Sequence, residues 1–270
     1  MFLRAQNLTL RLPGGDMDCV RFGAGSNTLI LLPGLGDGLR TVKGTALPMA
    51  LMYRTLAKGY TVYMFSRSSG LSEGYSTRDM AAELSRAMEH LQIAHADVIG
   101  VSMGGMIAQH LAADHPEKVG KLVLVVTCAG PNPTLTESIG KWIMLAEQGD
   151  HTALMDSNVR RIYSEAYYRK NRWLIPVIGR LTKPASYDRF LIQAKACLTH
   201  DTRERLSQIQ SPTLVIGGEQ DLALGADASR ELAAAIPHAQ LKMYAQWGHG
   251  LYEEAKDFQA VVTNFLADNR

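Results

Sequence analysis

Five short runs are apolar at consecutive rather than alternate positions: TLILLP (28–33), YTVYMFS (60–66), ADVIGVS (96–102), KLVLVVTC (121–128) and PTLVIGG (212–218). Unbroken Val, Ile and Leu over so short a length suits parallel strands covered on both faces. Between the runs lie helical patterns at 49–59, 77–93 and 103–119, with Thr77 or Asp79 as a start signal for the second. Strand and helix in alternation predict a parallel sheet wound by right-handed crossovers. Ahead of them, LTLRL (8–12) and DCVRFG (18–23), joined by PGGD, predict an antiparallel hairpin at the sheet edge. A last strand, AQLKMYA (239–245), is followed by YEEAKDFQAVVTNFLADN, which predicts one closing amphipathic helix.

The rhythm breaks between 131 and 205, where the pattern is helical throughout and carries Trp142, Tyr163, Tyr167, Tyr168, Trp173, Tyr187 and Phe190. This stretch reads as a helical cap inserted after the strand at 121–128, with 1–130 and 206–270 forming the α/β core. Its bland alternative is a set of helices covering one sheet face. Trp142, Tyr167 and Trp173 are candidates for lining a substrate pocket, although packing within the helices is the default role for each.

At 270 residues the chain is long enough for one large α/β domain with an insertion. A net charge of +2 gives no reason to expect either nucleic acid or an acidic membrane surface as a partner. The charge is uneven, however. Residues 131–205 hold 12 Lys+Arg against 8 Asp+Glu, a net of +4, and the remainder is −2. Solvated helix faces explain this most simply; a basic rim favouring anionic substrates is the sharper alternative. Cys19, Cys128 and Cys197 are odd in number and lack metal-ligand spacing, so neither a disulfide framework nor a metal is expected. No apolar stretch reaches the roughly 18 residues of a membrane span, and the first residues lack the apolar run of a signal peptide. The chain is expected to be cytoplasmic, without a membrane partner; monomer and homodimer both stay open.

Candidate chemistry gathers at the carboxyl ends of the apolar runs. Gly100-Val101-Ser102-Met103-Gly104 is a G-x-S-x-G pattern placed between an apolar strand and a helix. A sharp turn there pushes the serine hydroxyl out at the sheet's carboxyl edge, where ligands of open α/β sheets bind. Such a hydroxyl needs a base. Of the eight histidines, His249 in Gln246-Trp247-Gly248-His249-Gly250 directly follows the last strand and shares that edge. The base in turn needs a carboxylate to fix its tautomer. Asp221 follows PTLVIGG; Glu219 is a competitor too close to the strand end, and Asp227 is one that begins the next helix. A developing oxyanion requires backbone N–H donors, for which Met103 and Leu35, in Pro33-Gly34-Leu35-Gly36-Asp37-Gly38, are the candidates.

Taken together, the opening hairpin, LILLPGLGDG, YTVYMFSRSSGLS, VIGVSMGG, PTLVIGGEQD and QWGHG resemble the α/β-hydrolase family, in particular its small cap-bearing serine hydrolases and esterases, over nearly the whole chain. The resemblance implies an eight-stranded, mostly parallel sheet, a helical cap over the active site, no cofactor, and acyl chemistry on esters or related bonds. Two departures stand out. Pro33-Gly34 replaces the usual His-Gly, and Ser66-Arg67-Ser68 replaces the usual Asp-x-Arg; Arg67 is expected to brace loops rather than react. The expectation is a hydrolase that cleaves a small or medium ester-like substrate through an acyl-enzyme on Ser102. The same residues acting on a lactone, thioester, amide or carbon–carbon bond, or in acyl transfer, remain open. A ligand-binding receptor on this fold is the alternative from another class.

Overall fold

The computed structural model describes residues 4–268. Eight strands form one sheet: β1 (Gln6–Leu12), β2 (Gly15–Gly23), β3 (Asn27–Leu32), β4 (Tyr60–Ser68), β5 (Ala96–Val101), β6 (Val119–Val125), β7 (Thr213–Gly218) and β8 (Gln240–Tyr244). Their spatial order is β1-β2-β4-β3-β5-β6-β7-β8. The β1–β2 hairpin and the β2–β4 pair are antiparallel, and every later pair is parallel. The hairpin therefore stands at one edge, as the sequence predicts.

Successive strand residues point to opposite faces, and both faces here are apolar. Ile30, Leu32, Val98, Leu122, Leu124 and Val215 pack into one buried cluster. Leu29, Leu31, Ile99, Val123, Val125 and Ile216 pack into another on the opposite side. Helix α1 (Ala46–Met52) and the final helix α11 (Phe258–Ala267) cover the second face through Ala46, Ala50, Phe258 and Val262. The first face is covered by α2 (Thr77–His90) and α3 (Met103–Asp114), through Leu84, Met88, Met106 and Leu111. At about 25 cal/mol per Å² of apolar surface removed from water, this double layer is the main favourable term of the fold.

Between β6 and β7 the chain is helical: α4 (Pro133–Glu147), α5 (His151–Ile162), α6 (Glu165–Asn171), α7 (Ile175–Thr182) and α8 (Asp188–Leu198). Helix α9 (Asp227–Ala235) joins β7 to β8, and α10 (Leu251–Glu254) precedes α11. Asn132, Asp150 and Ser164 each cap a following helix with a side-chain oxygen.

Three expectations shift. The helix expected at 49–59 is α1, which ends at Met52; a separate 3-10 turn follows at Leu56–Lys58 before the chain enters β4. The helix expected at 103–119 stops at Asp114, because Pro116 cannot donate to it and instead opens a short turn into β6. The single closing helix is two, broken at Ala255 in extended backbone, so that Leu251, Ala255 and Phe258 all reach one buried cluster. Asn269, which that pattern included, lies outside the described residues.

Behind α3 two buried histidines meet. His110 and His200 pack edge to face at 5.2 Å between ring centroids. Thr77 Oγ1 lies 2.9 Å from His200 Nδ1. Burial holds His110 down at about 4 and His200 at about 3, the latter also through the neighbouring imidazole. Both are neutral in the folded chain at neutral pH, whereas the unfolded chain takes up protons below about 6.5. Their contribution is therefore complete above that value and is lost as pH falls toward the folded values. We expect the stability to urea to drop between pH 7.5 and 5, and His200→Asn to shrink that drop; an unchanged pH slope in the variant contradicts this account.

Candidate active site

Strand β5 ends at Val101 and α3 begins at Met103, so Ser102 alone makes the turn. Its backbone sits at φ 53, ψ −120. A non-glycine residue held there carries strain on the order of 1–3 kcal/mol. The surroundings clamp it. Ser102 N donates to Val125 O at 2.9 Å, and Thr127 Oγ1 donates to Ser102 O at 2.7 Å. The glycines of the motif are required by close approach. A Cβ at residue 104 would collide with the carbonyl oxygen of Leu32, and one at residue 105 would lie 2.6 Å from the Thr127 side chain.

His249 and Asp221 follow β8 and β7, which are adjacent strands. Both are buried, and His249 Nδ1 lies 2.8 Å from Asp221 Oδ2. The other carboxylate oxygen, Oδ1, accepts from the backbone N–H groups of Ala223 and Leu224 at 2.8 and 2.9 Å. Asp221 is thus oriented before it meets the imidazole. The two competitors face elsewhere. Glu219 is paired with Arg230 at 2.5 and 2.7 Å. Asp227 begins α9 and also reaches Arg230, at 3.3 Å.

The loop after β3 runs across Ser102: a Cβ on Gly34 would lie 3.3 Å from Ser102 Cβ. Leu35 and Met103 are the first residues of their helical turns, where backbone N–H groups have no intrahelical acceptor. Ser102 and His249 line one cavity of about 700 Å³. Its remaining wall is mostly apolar, including Met49, Val101, Leu154, Met155, Ile162 and Phe190. Trp142 belongs to this wall, with its indole N–H donating to Ser157 Oγ at 3.2 Å. Tyr167 and Trp173 do not: Tyr167 stacks on Tyr163 at 4.3 Å, and Trp173 is 70% exposed on the outer surface. Aromatic content marked the segment, but only packing decides which rings turn inward. Among the described residues no group of three or more His, Cys, Asp or Glu side chains is placed to hold a metal ion.

Against known families, the alpha/beta hydrolase fold matches residues 27–153 and 179–256, well over half of the chain. The chain belongs to the alpha/beta hydrolase fold family. It is an enzyme of that fold, a hydrolase. Residues 154–178, between the matched stretches, carry most of α5, all of α6 and the start of α7. A putative carbamate hydrolase RutD of Caulobacter segnis is 27% identical over 253 residues, 90% of this chain and 92% of that protein. A 2-hydroxy-6-oxononadienedioate/2-hydroxy-6-oxononatrienedioate hydrolase of Cupriavidus pinatubonensis is 27% identical over 264 residues, covering 93% and 90%. Among solved structures, the enol-lactonase of Burkholderia xenovorans LB400 superposes with a TM-score of 0.83 at 24% identity, covering 97% of this chain and all of that one. MGS-M2, an alpha/beta hydrolase enzyme from a Medee basin deep-sea metagenome library, gives 0.85 at 24% identity, covering 97% and 98%.

Two groups of this hydrolase's site escaped the sequence. The first is the Asp37–Arg189 part of a buried charge network under the Gly34 loop. Arg67 donates to Pro33 O at 2.5 Å, which gives it the bracing role expected of it. Its backbone N–H donates to Asp37 Oδ2 at 3.1 Å, and Arg189 of α8 donates to the same oxygen at 2.6 Å. Arg189 also donates to the carbonyls of Arg67 and Ser68. Burial lowers the pKa of Arg67, and Asp37 opposes that shift. The Gly-rich spacing drew attention to the loop, but nothing local to Asp37 marks a partner 152 residues away. The second is Glu253 at the cavity wall, which accepts from Tyr163 OH at 2.8 Å. The residue as a whole is exposed, yet loss of solvation still raises its carboxyl above the ordinary range, with the Tyr163 hydrogen bond opposing. Burial and this carboxyl together push Tyr53 up to about 12.

Close approach at the Ser102 turn makes a contrast measurable. Gly104→Ala forces a backbone collision and should destabilise by at least about 2 kcal/mol. Gly140→Ala, on the exposed side of α4 with open space at its Cβ, should stabilise by about 0.5–1 kcal/mol. Denaturant midpoints of the two variants check both signs.

Proposed function

We propose that this hydrolase cleaves a carboxylic ester or related acyl bond of a small to medium, largely apolar substrate, with Ser102 as nucleophile, His249 as general base and Asp221 as its orienting carboxylate. The observation that carries the reading is the 2.8 Å contact between His249 Nδ1 and Asp221 Oδ2, made at the cavity that Ser102 also lines. Asp221 accepts the Nδ1 proton, so Nε2 is left with a lone pair to take the proton of the Ser102 hydroxyl. The serine oxygen attacks the acyl carbon, and a tetrahedral oxyanion forms. It is met by the N–H groups of Leu35 and Met103, the latter at the positive end of the α3 dipole. The protonated imidazole then gives its proton to the leaving oxygen, and an acyl-enzyme on Ser102 remains. Water, deprotonated by the same imidazole, resolves it.

In this reading residues 131–205 act as a cap on a core formed by 1–130 and 206–270. Helices α4, α5 and α8 supply Trp142, Leu154, Met155, Asn158, Ile162 and Phe190 to the cavity wall, which suits an apolar acyl group. The substrates named for the relatives include a carbamate, a dienedioate and, for a structural neighbour, an enol-lactone. The acyl reading is compatible with other bonds, and a substrate panel separates them.

A fluorophosphonate should label Ser102, and an activated ester should give a burst of alcohol. Ser102→Ala and His249→Ala should each cost roughly 10⁴–10⁶ in kcat, and the double variant little more, because the residues act as a unit. Asp221→Asn should cost about 10⁴, by favouring the wrong tautomer, with Glu219→Gln close to neutral. Additive losses, or a larger loss at Glu219 than at Asp221, overturn the assignment.

A further inference from the structure

Helix α7 has one engaged side and one bare side. The engaged side is Ile175 and Gly179, both buried. A Cβ on Gly179 would lie 3.1 Å from Thr152 Oγ1 and 3.2 Å from Thr152 Cα, so α7 is pressed against α5. On the opposite side Val177, Ile178 and Leu181 are 54, 40 and 81% exposed. Their spacing of three and four residues puts them on one stripe. Trp173, in the 3-10 turn Arg172–Leu174 that leads into α7, is 70% exposed. Four large apolar side chains in eleven consecutive helical residues are therefore left in water. Single exposed apolar residues need no explanation, but a contiguous set does.

The charge around them is one-sided. Residues 165–183 hold Arg169, Lys170, Arg172, Arg180 and Lys183 against Glu165 alone, a net of +4. That equals the whole positive excess of residues 131–205, so the imbalance sits on this short stretch and is not spread over helix faces. Arg169 pairs with Glu165 at 3.0 Å. Lys183 donates to the carbonyl of Gly149. Among the described residues no carboxylate lies within ion-pair distance of Lys170, Arg172, Arg180 or Lys183.

We propose that the exposed face of α7 and its preceding turn docks on an anionic lipid surface, with Trp173, Val177, Ile178 and Leu181 entering the headgroup boundary and Lys170, Arg172, Arg180 and Lys183 meeting the lipid phosphates. Apolar side chains with an amphipathic Trp on one side, flanked by Lys and Arg whose stems follow the boundary, are what interfacial helices present. A second copy of the chain fits less well. Two-fold pairing of this patch would set +4 against +4 and bury cations without acids. Nucleic acid would use the cations but leave the apolar stripe in water. With so short a helical stretch the contact is shallow and reversible. Its consequence for the cavity follows from α5, which touches α7 through Thr152 and lines the cavity through Leu154, Met155, Asn158 and Ile162. The lipid surface would lie one helix diameter from that wall, roughly 10 Å, and an apolar substrate could be drawn from it.

Flotation of the full chain with phosphatidylcholine vesicles, with and without phosphatidylglycerol, tests this independently of any hydrolysis. The chain should float with the anionic vesicles only and be released at about 0.5 M NaCl. Emission should shift to the blue on binding and fail to shift in Trp173→Phe. Arg172→Gln/Arg180→Gln and Val177→Ser/Leu181→Ser should each weaken binding about tenfold or more. All these positions are exposed, and unchanged thermal midpoints confirm that the variants are folded. No flotation with anionic vesicles overturns the proposal, as does binding that survives both double substitutions. A dimer in sedimentation that Val177→Ser/Leu181→Ser dissociates assigns the face to a second copy instead.

Discussion

Where β5 turns into α3, two stretches of backbone pass so close that no side chain fits between them. Gly104 rests on the carbonyl of Leu32, the last residue of β3, and Gly105 rests on Thr127, just beyond β6. Three strand ends are locked together at that point, with Ser102 at φ 53 in the middle. The strain of this residue is tolerable only because its own N–H and C=O are both held, by Val125 and Thr127. The neighbouring strands β7 and β8 then deliver Asp221 and His249 to the same rim.

A second constraint supports the first from below. The loop facing Ser102 would be free to move if only its glycines shaped it. Instead Arg67 holds the carbonyl of Pro33, and Asp37 is shared between the Arg67 backbone and the Arg189 guanidinium. Buried charges of this kind add little net stability, but removing one partner leaves the other uncompensated, at a cost of about 3–5 kcal/mol. Through Arg189 the network also fastens α8, and with it Phe190 in the cavity wall, to the loop that carries the proposed oxyanion donor.

Much of this was legible beforehand. The strands announced themselves because both sheet faces are buried, which forces apolar residues at every position; their ends moved by a few residues because pairing partners, not composition, set where a ladder stops. Ser102 and His249 stood out because glycine-flanked polar residues directly after apolar runs have few other uses. Asp221 against Glu219 was harder. The two are neighbours of the same chemistry; in the folded chain Arg230, on a later helix, pairs with Glu219, while Asp221 is the carboxylate beside His249. Trp142, Tyr167 and Trp173 looked alike in the sequence, yet one lines the cavity, one stacks on Tyr163 and one faces solvent. The excess of Lys and Arg in 131–205 falls within 165–183 by a count of the sequence, but only the folded chain sets it beside the exposed apolar face of α7.

What the amino-acid sequence settled alone is whatever depends on a residue and its near neighbours: which runs are apolar on both faces, and where glycine must permit a close turn. These follow from local sterics and from the period of side-chain directions. What only the tertiary structure decided is which distant groups become neighbours: the carboxylate that meets His249, the arginine that reaches Asp37, the rings that turn inward, and the helix face left bare. Those outcomes depend on how preformed elements pack, and packing is a property of surfaces assembled from positions far apart in the chain, as Asp37 and Arg189 are at 152 residues.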